Sequence, residues 1–126
     1  LLAGVRFSSI VETDPVGVTI AQGRFLNQTA VGETSLPARA LLDSLLAIEQ
    51  AAGRTRPFDG APRTLDLDLI LYGDLIHADP QLTVPHPRFR DRAFVLDPLA
   101  EVAPSLIDPV TGKDIALLRH DLTERG

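Results

Sequence analysis

The stretch Leu65 to Tyr72 reads Leu-Asp-Leu-Asp-Leu-Ile-Leu-Tyr. Its first residues alternate strictly between apolar and acidic, which is the period of a β-strand with one buried face and one face toward solvent. Asp66 and Asp68 therefore share a face of the predicted strand, with Cβ atoms roughly 7 Å apart. Two carboxylates at this spacing suit a hard cation such as Mg²⁺, which takes oxygen ligands. The alternative is an edge strand whose two aspartates simply face water.

Cationic or potentially cationic side chains lie on both sides of this stretch. They are Arg54, Arg56 and Arg63 upstream, and His86, Arg88, Arg90 and Arg92 downstream. Guanidinium groups bind phosphate oxygens through paired hydrogen bonds, and Mg²⁺ bridges such oxygens, so the combination favours phosphoryl transfer. Alternatively, the arginines pair with surface carboxylates. Neither G-x-x-x-x-G-K-[ST] nor G-x-G-x-x-G occurs, so side chains are expected to hold the phosphates.

The other elements follow from periodicity and from turn residues. The sequence predicts paired strands at Arg6 to Glu12 and Phe25 to Glu33, a helix from Pro37 to Gly53, a hairpin around Ala78-Asp79-Pro80, and helices at Arg92 to Glu101 and Asp114 to Leu122. The predicted stripe of the first helix includes Leu41, Leu42, Leu45, Leu46, Ile48 and Ala52. This mixture predicts one α+β domain over residues 1–126, with a mainly antiparallel sheet.

Composition narrows the classes of function. Cysteine is absent, which excludes disulfides, thiolate metal sites and cysteine nucleophiles. The formal net charge of −5 argues against nucleic acid as a partner. No apolar run approaches the roughly 20 residues that cross a bilayer. We therefore expect a cytoplasmic protein with no nucleic-acid and no membrane partner.

Phe25 and Asn27 also share a face of their predicted strand. A flat apolar ring beside an amide can stack on a flat heterocycle and form hydrogen bonds with its edge. The alternative is that Phe25 belongs to the core and Asn27 ends the strand.

Two runs carry a resemblance to a known family. Ala61-Pro-Arg-Thr-Leu-Asp-Leu-Asp-Leu-Ile-Leu-Tyr-Gly73 and Leu82-Thr-Val-Pro-His86, continuing through Arg92-Ala-Phe94, closely resemble 6-hydroxymethyl-7,8-dihydropterin pyrophosphokinase of folate biosynthesis. The resemblance implies a ferredoxin-like α+β fold and an ATP-dependent diphosphokinase. Such an enzyme transfers pyrophosphate from ATP to the pterin hydroxymethyl oxygen and releases AMP.

The resemblance also implies residue roles. Two Mg²⁺ ions would be held by Asp66 and Asp68. The catalytic arginines would be Arg54, Arg63 and Arg92. The nucleotide would be bound by Glu49, Arg63, His86 and Arg92. The pterin would be bound by Thr13, Val16, Gly17, Phe25, Asn27 and Phe94.

The chain departs from the family pattern in three places. The family begins with a strand ending near Gly-Ser-Asn and a helix, and this sequence shows neither. Pro57-Phe58-Asp59-Gly60 replaces a basic and aromatic loop, and Pro87 stands where an aromatic residue often follows the histidine. We expect a monomer whose sheet has an unpaired edge, unless another chain or a further segment of the same protein supplies the strand. Two alternatives stay open: a non-catalytic nucleotide or pterin-binding module, and a metal-dependent phosphodiesterase.

Overall fold

The computed structural model describes residues 2–13, 25–53 and 66–125. The elements in these ranges are β1 (Ala3–Phe7), β2 (Val11–Thr13), β3 (Phe25–Asn27), β4 (Ala30–Glu33), α1 (Ala38–Gly53), β5 (His77–Ala78), β6 (Thr83–Val84), a 3₁₀ turn (Phe89–Asp91), α2 (Ala93–Val102) and α3 (Ile115–Arg125). The strand pairs are β1 with β4, β2 with β3 and β5 with β6, all antiparallel. Helices combined with antiparallel strand pairs confirm the predicted α+β class.

The first two predicted strands do pair, but each is divided in two. The division falls at Ser8, whose side chain is buried. The N–H of Ser8 donates to the carbonyl of Thr29 over 2.8 Å, and the N–H of Thr29 donates to the Ser8 hydroxyl over 2.9 Å. The hydroxyl thus takes the place of a main-chain acceptor, so the ladder is interrupted while its polar groups keep their partners.

Helix α1 begins one residue after Pro37 and ends at Gly53, as predicted. Its buried residues are Ala38, Leu41 and Glu49. Leu46 and Ile48, which were expected on the apolar stripe, are 45% and 42% exposed. Residues four apart lie on one face of a helix, so the buried face continues from Leu41 to Glu49 and leaves these two beside it.

The strand predicted from Leu65 to Tyr72 is wrong. Residues 66–72 are assigned to no strand, and within the described ranges no ladder pairs with them. Alternation is a local property, whereas a strand also needs a hydrogen-bonded neighbour. The segment is nevertheless held in place. The hydroxyl of Tyr72 donates to the carbonyl of Leu36, just before α1, and Leu75 and Tyr72 close a turn through a main-chain bond of 3.0 Å.

Two apolar clusters flank this segment. The larger is formed by Phe89, Leu96, Leu99, Ala103, Ile115 and Leu118, with Ile70 and Leu71 packed against it. The smaller is formed by Ala38, Leu82 and Val84, with Leu42, Leu69, Tyr72 and Leu75 packed against it. Residues 69–72 therefore contact both clusters, which fixes the position of the chain that leads out of the aspartate pair.

The predicted hairpin and the last two helices are present with small shifts in their ends. The hairpin pairs His77 with Val84, α2 covers Ala93–Val102, and α3 covers Ile115–Arg125. No helix among the described residues is long and apolar enough to cross a membrane.

Candidate functional site

Asp66 and Asp68 both lie exposed at the surface, while Leu67 between them is partly buried. The N–H of Leu67 donates to Oε2 of Glu49 over 2.5 Å. Glu49 is 8% exposed and lies in the last turns of α1. The main chain between the two aspartates is therefore anchored on a buried carboxylate, and both aspartate side chains face outward.

His86 joins the aspartate segment through the main chain. Its N–H donates to the carbonyl of Ile70 over 2.8 Å. Partial burial lowers the pKa of His86 below its ordinary value; the carboxylate of Asp68 opposes this change, and the cations of Arg92 and Arg88 add to it. The ring is thus neutral at neutral pH.

The tautomer of His86 follows from one contact. Its Nδ1 accepts a hydrogen bond of 3.1 Å from the N–H of Arg88. An accepting Nδ1 carries no proton, so in the neutral ring the proton lies on Nε2. The free donor of the ring is then Nε2–H, which can bind an anionic oxygen without a positive charge on the imidazole.

Arg92 lies at the N-cap position of α2, and its N–H donates to the carbonyl of Phe89 over 3.3 Å. Its guanidinium carbon is 5.5 Å from the centre of the Phe94 ring. This is a cation–π distance, so the two side chains support each other at the start of the helix. The cation predicted to bind phosphate and the ring predicted to stack on the pterin therefore lie side by side.

The hairpin of β2 and β3 brings three more predicted residues together. Thr13 is paired with Phe25, and Val11 is paired with Asn27. Helix α2 contacts β2, and both oxygens of Glu101 accept hydrogen bonds from Ser9, from its N–H over 2.9 Å and from its hydroxyl over 2.8 Å. The hairpin is thereby fixed to the helix that carries Phe94.

Four predicted site residues lie outside the described residues, namely Val16, Gly17, Arg54 and Arg63. Their roles stay predictions. The two described groups of candidates are the aspartates with Glu49, His86 and Arg92, and the hairpin with Phe94.

The aspartate pair fits a hard cation by its donor chemistry. Within residues 2–13, 25–53 and 66–125, no group of three or more His, Asp or Glu side chains is placed to hold a metal. Mg²⁺ is usually bound by one or two carboxylates, with waters and substrate phosphates completing its shell. Two exposed carboxylates near residues that are predicted to bind phosphate suit that mode of binding. The described residues do not form a cage made only of protein ligands.

The contact between Glu49 and Leu67 was not predicted. A signal for it existed: Glu49 stands four residues after Leu45 and eight after Leu41, so it falls on the apolar face of the helix. A carboxylate at such a position needs a buried donor. The ion pair between Arg90 and Asp108 was not predicted either, because no local sequence pattern indicates it.

Comparison with known proteins points to one family. The model of the family described as 7,8-dihydro-6-hydroxymethylpterin-pyrophosphokinase (HPPK) matches residues 2–104. Three similar proteins carry the name 2-amino-4-hydroxy-6-hydroxymethyldihydropteridine pyrophosphokinase. They come from Synechocystis sp. (50% identical, covering 77% of this chain and 50% of the relative), Pseudomonas aeruginosa (46%, covering 81% and 62%) and Bacillus subtilis (47%, covering 77% and 58%). The chain thus spans between 50% and 62% of the length of these curated relatives.

Proposed function

We propose, because the chain belongs to the 7,8-dihydro-6-hydroxymethylpterin-pyrophosphokinase family, that its site transfers a pyrophosphoryl group from ATP to 6-hydroxymethyl-7,8-dihydropterin. The products are AMP and the pterin diphosphate. ATP and the pterin are its small-molecule partners, and the protein acts in the formation of folate.

One observation supports this proposal above the others. The carboxylates of Asp66 and Asp68, the neutral ring of His86 and the cation of Arg92 belong to segments that are joined by the main-chain bond between His86 and Ile70. Anionic and cationic groups held on one framework can bind a metal–phosphate complex without first reorganising, and such preorganisation is the main source of catalysis in phosphoryl transfer.

Each group has a proposed task. Asp66 and Asp68 would hold two Mg²⁺ ions, whose positive charge would neutralise the phosphate oxygens. Arg92 binds a phosphate oxygen through its guanidinium group, and His86 donates from Nε2–H to another. Arg54 and Arg63 are the other two catalytic arginines of this proposal. Glu49 contributes to nucleotide binding by holding the backbone between the aspartates.

The pterin lies on the other side of the transferred group in this proposal. Phe25 and Phe94 stack on its ring, and Asn27 forms hydrogen bonds with its polar edge. The main chain at Thr13, Val16 and Gly17 completes the pocket. The cation–π contact from Arg92 to Phe94 supports this arrangement, because it brings the phosphate-binding and ring-binding halves within 5.5 Å.

The bond changes balance without a redox partner. The pterin hydroxymethyl oxygen forms a bond to the β-phosphorus of ATP, and the bond from that phosphorus to the oxygen of the α-phosphate breaks. AMP leaves with that oxygen, and the hydroxyl proton passes to solvent. No strong protein base is required, since a loose transition state is stabilised mainly by positioning and charge.

The test is incubation of the chain with ATP, Mg²⁺ and 6-hydroxymethyl-7,8-dihydropterin, followed by separation of the products. AMP and pterin diphosphate in equal amounts are expected. Binding of either substrate without AMP from a folded sample would indicate a non-catalytic binding module. Hydrolysis of a generic phosphodiester without pterin transfer would indicate a phosphodiesterase.

A further inference from the structure

Asp108 is a fully buried carboxylate outside the segment that matches the family model. Its exposure is 0%, and the match ends at residue 104. It lies in a tight turn in which the N–H of Asp108 donates to the carbonyl of Lys113 over 2.9 Å, and the N–H of Gly112 donates to the carbonyl of Asp108 over 2.8 Å. Gly112 has a φ of +73°, which glycine adopts without strain.

The partner of this carboxylate is Arg90. The Arg90 Nε donates to Oδ2 over 2.6 Å, and Nη2 donates to Oδ1 over 2.9 Å. The hydroxyl of Thr111 and the N–H of Val110 donate to the same carboxylate over 2.8 and 3.1 Å. Burial alone would raise the pKa of Asp108, but these hydrogen bonds outweigh it and the pKa lies below its ordinary value. The pair is thus ionised and geometrically fixed.

Arg90 lies between His86 and Arg92 of the proposed site in the sequence. It occupies the middle of the 3₁₀ turn Phe89–Asp91. The turn begins with the bond from the N–H of Phe89 to the carbonyl of His86 (3.4 Å) and ends with the bond from the N–H of Arg92 to the carbonyl of Phe89 (3.3 Å). Any shift of Arg90 therefore changes the spacing between His86 and Arg92.

A second contact holds the same turn from the C-terminal helix. Arg125 donates from Nη2 to the carbonyl of Arg90 and from Nη1 to Oδ1 of Asp91, both over 3.2 Å. Arg125 is well exposed, so solvent weakens its ion pair, whereas Asp108 is screened from water. The buried pair is the stronger of the two restraints.

We propose that Asp108 is a positioning residue for pyrophosphoryl transfer. Through Arg90 it fixes the 3₁₀ turn and thereby the spacing of His86 and Arg92 around the phosphates of ATP. This inference rests on the proposed function, and it assigns a role in that function to residues beyond the family match.

The test uses the full chain with Asp108→Asn, which removes the charge at constant shape. At a temperature where each variant is folded by circular dichroism, we expect kcat/KM for ATP to fall about 10- to 100-fold, the range that a small misplacement costs. KM for ATP rises while KM for the pterin stays unchanged. Amide hydrogen exchange at residues 89–92 becomes faster, and exchange at Leu118 does not.

Two further variants make the result decisive. Asp97→Asn is the matched control, because Asp97 also accepts a hydrogen bond from an arginine, Arg119. That pair is exposed and joins α2 to α3 without including a residue of the 3₁₀ turn, so this variant is expected to keep wild-type kinetics. Arg90→Lys keeps the charge and loses the paired hydrogen bonds, so it raises KM for ATP less than Asp108→Asn does. If Asp108→Asn does not fold, the KM of Arg90→Lys for ATP tests the positioning role instead.

The outcomes separate the two proposals. If wild type forms AMP and both Asp108→Asn and Arg90→Lys keep its KM for ATP, the positioning role is overturned and the proposed function stands. If folded wild type forms no AMP, the proposed function fails and the positioning role falls with it. An equal rise in KM for ATP in Asp97→Asn would also overturn the positioning role, because the effect would then not depend on the turn.

Discussion

The buried carboxylate of Glu49 accepts a hydrogen bond of 2.5 Å from the N–H of Leu67. Leu67 is the single residue between Asp66 and Asp68, so a helix end controls the main chain at the centre of the proposed metal site. The contact joins residues 18 positions apart. It explains how two exposed aspartates are held although no strand among the described residues pairs with their segment.

Replacing Glu49 tests this anchor. Glu49→Ala leaves the Leu67 N–H without this acceptor, and we expect the free energy of unfolding to fall by about 1–3 kcal/mol. Glu49→Gln keeps an oxygen acceptor and costs less. Urea unfolding gives the stability, and a Mg²⁺ titration of AMP formation gives the effect on the site. Wild-type stability in Glu49→Ala would show that the bond does not anchor the segment.

The aspartates are expected to be essential for turnover. Asp66→Asn and Asp68→Asn each remove a charge that holds a cation, so kcat falls by about 100-fold or more, as for the loss of other preorganised electrostatic groups. Asp74→Asn is the control, since Asp74 is exposed just beyond the segment and has no assigned role. Turnover like wild type in either site variant would refute the metal assignment.

Phe94 is expected to act on the pterin more than on ATP. Phe94→Leu keeps apolar volume and removes the ring, and stacking of this kind is worth about 0.5–1.5 kcal/mol. KM for the pterin therefore rises about 2- to 10-fold, while KM for ATP changes less. Initial rates with one substrate varied at a time measure both constants. A rise in KM for ATP alone would contradict the assignment of Phe94 to the pterin.

Acid stability of the hairpin depends on Asp79. Hydrogen bonds from His77, then from the N–H groups of Leu82 and Gln81, and from Arg39, lower the pKa of Asp79 well below its ordinary value of 3.8. At a pH just below 3.8, Asp79 thus stays unprotonated in the folded protein, whereas it binds a proton in the unfolded chain. This contribution to stability is fully present above pH 3.8. It is lost as the pH falls from 3.8 through the lower pKa that Asp79 has in the folded state.

Asp79→Asn is therefore expected to be less stable at neutral pH and to lose less stability on acidification. Urea unfolding at a series of pH values on both sides of 3.8 measures the slope. Asp74→Asn, which has the same change in charge, should keep the wild-type slope. An unchanged slope in Asp79→Asn would contradict the assignment.

The elements that depend on neighbouring residues could be predicted from the sequence, and the features that depend on contacts between distant residues could not. The helix after Pro37 and the hairpin around Asp79 depend on capping, turn residues and periodicity, which lie within a few residues of each other. The break at Ser8 depends on a side chain that meets Thr29 across the sheet, 21 residues away. The strand predicted from Leu65 to Tyr72 was wrong for the same reason, because pairing depends on a neighbour that alternation does not specify.

The candidate site shows the same division. Residue type and spacing indicated Asp66 and Asp68 and a wider set of flanking basic residues, and the family resemblance singled out His86 and Arg92 from that set; their roles stay predictions. The supports were not indicated: Glu49 reaches Leu67, and Asp108 reaches Arg90, through tertiary contacts of 18 residues each. Asp108 stands beside a proline and near a glycine, a composition that predicts only a turn.

The most direct test of the central claim is a ³¹P NMR time course of ATP and Mg²⁺ with the protein, recorded with and without 6-hydroxymethyl-7,8-dihydropterin. Transfer of a pyrophosphoryl group predicts that AMP and a pterin product with two phosphorus signals grow together, and only when the pterin is present. Formation of ADP with a singly phosphorylated pterin, or of AMP with free pyrophosphate, would contradict the account.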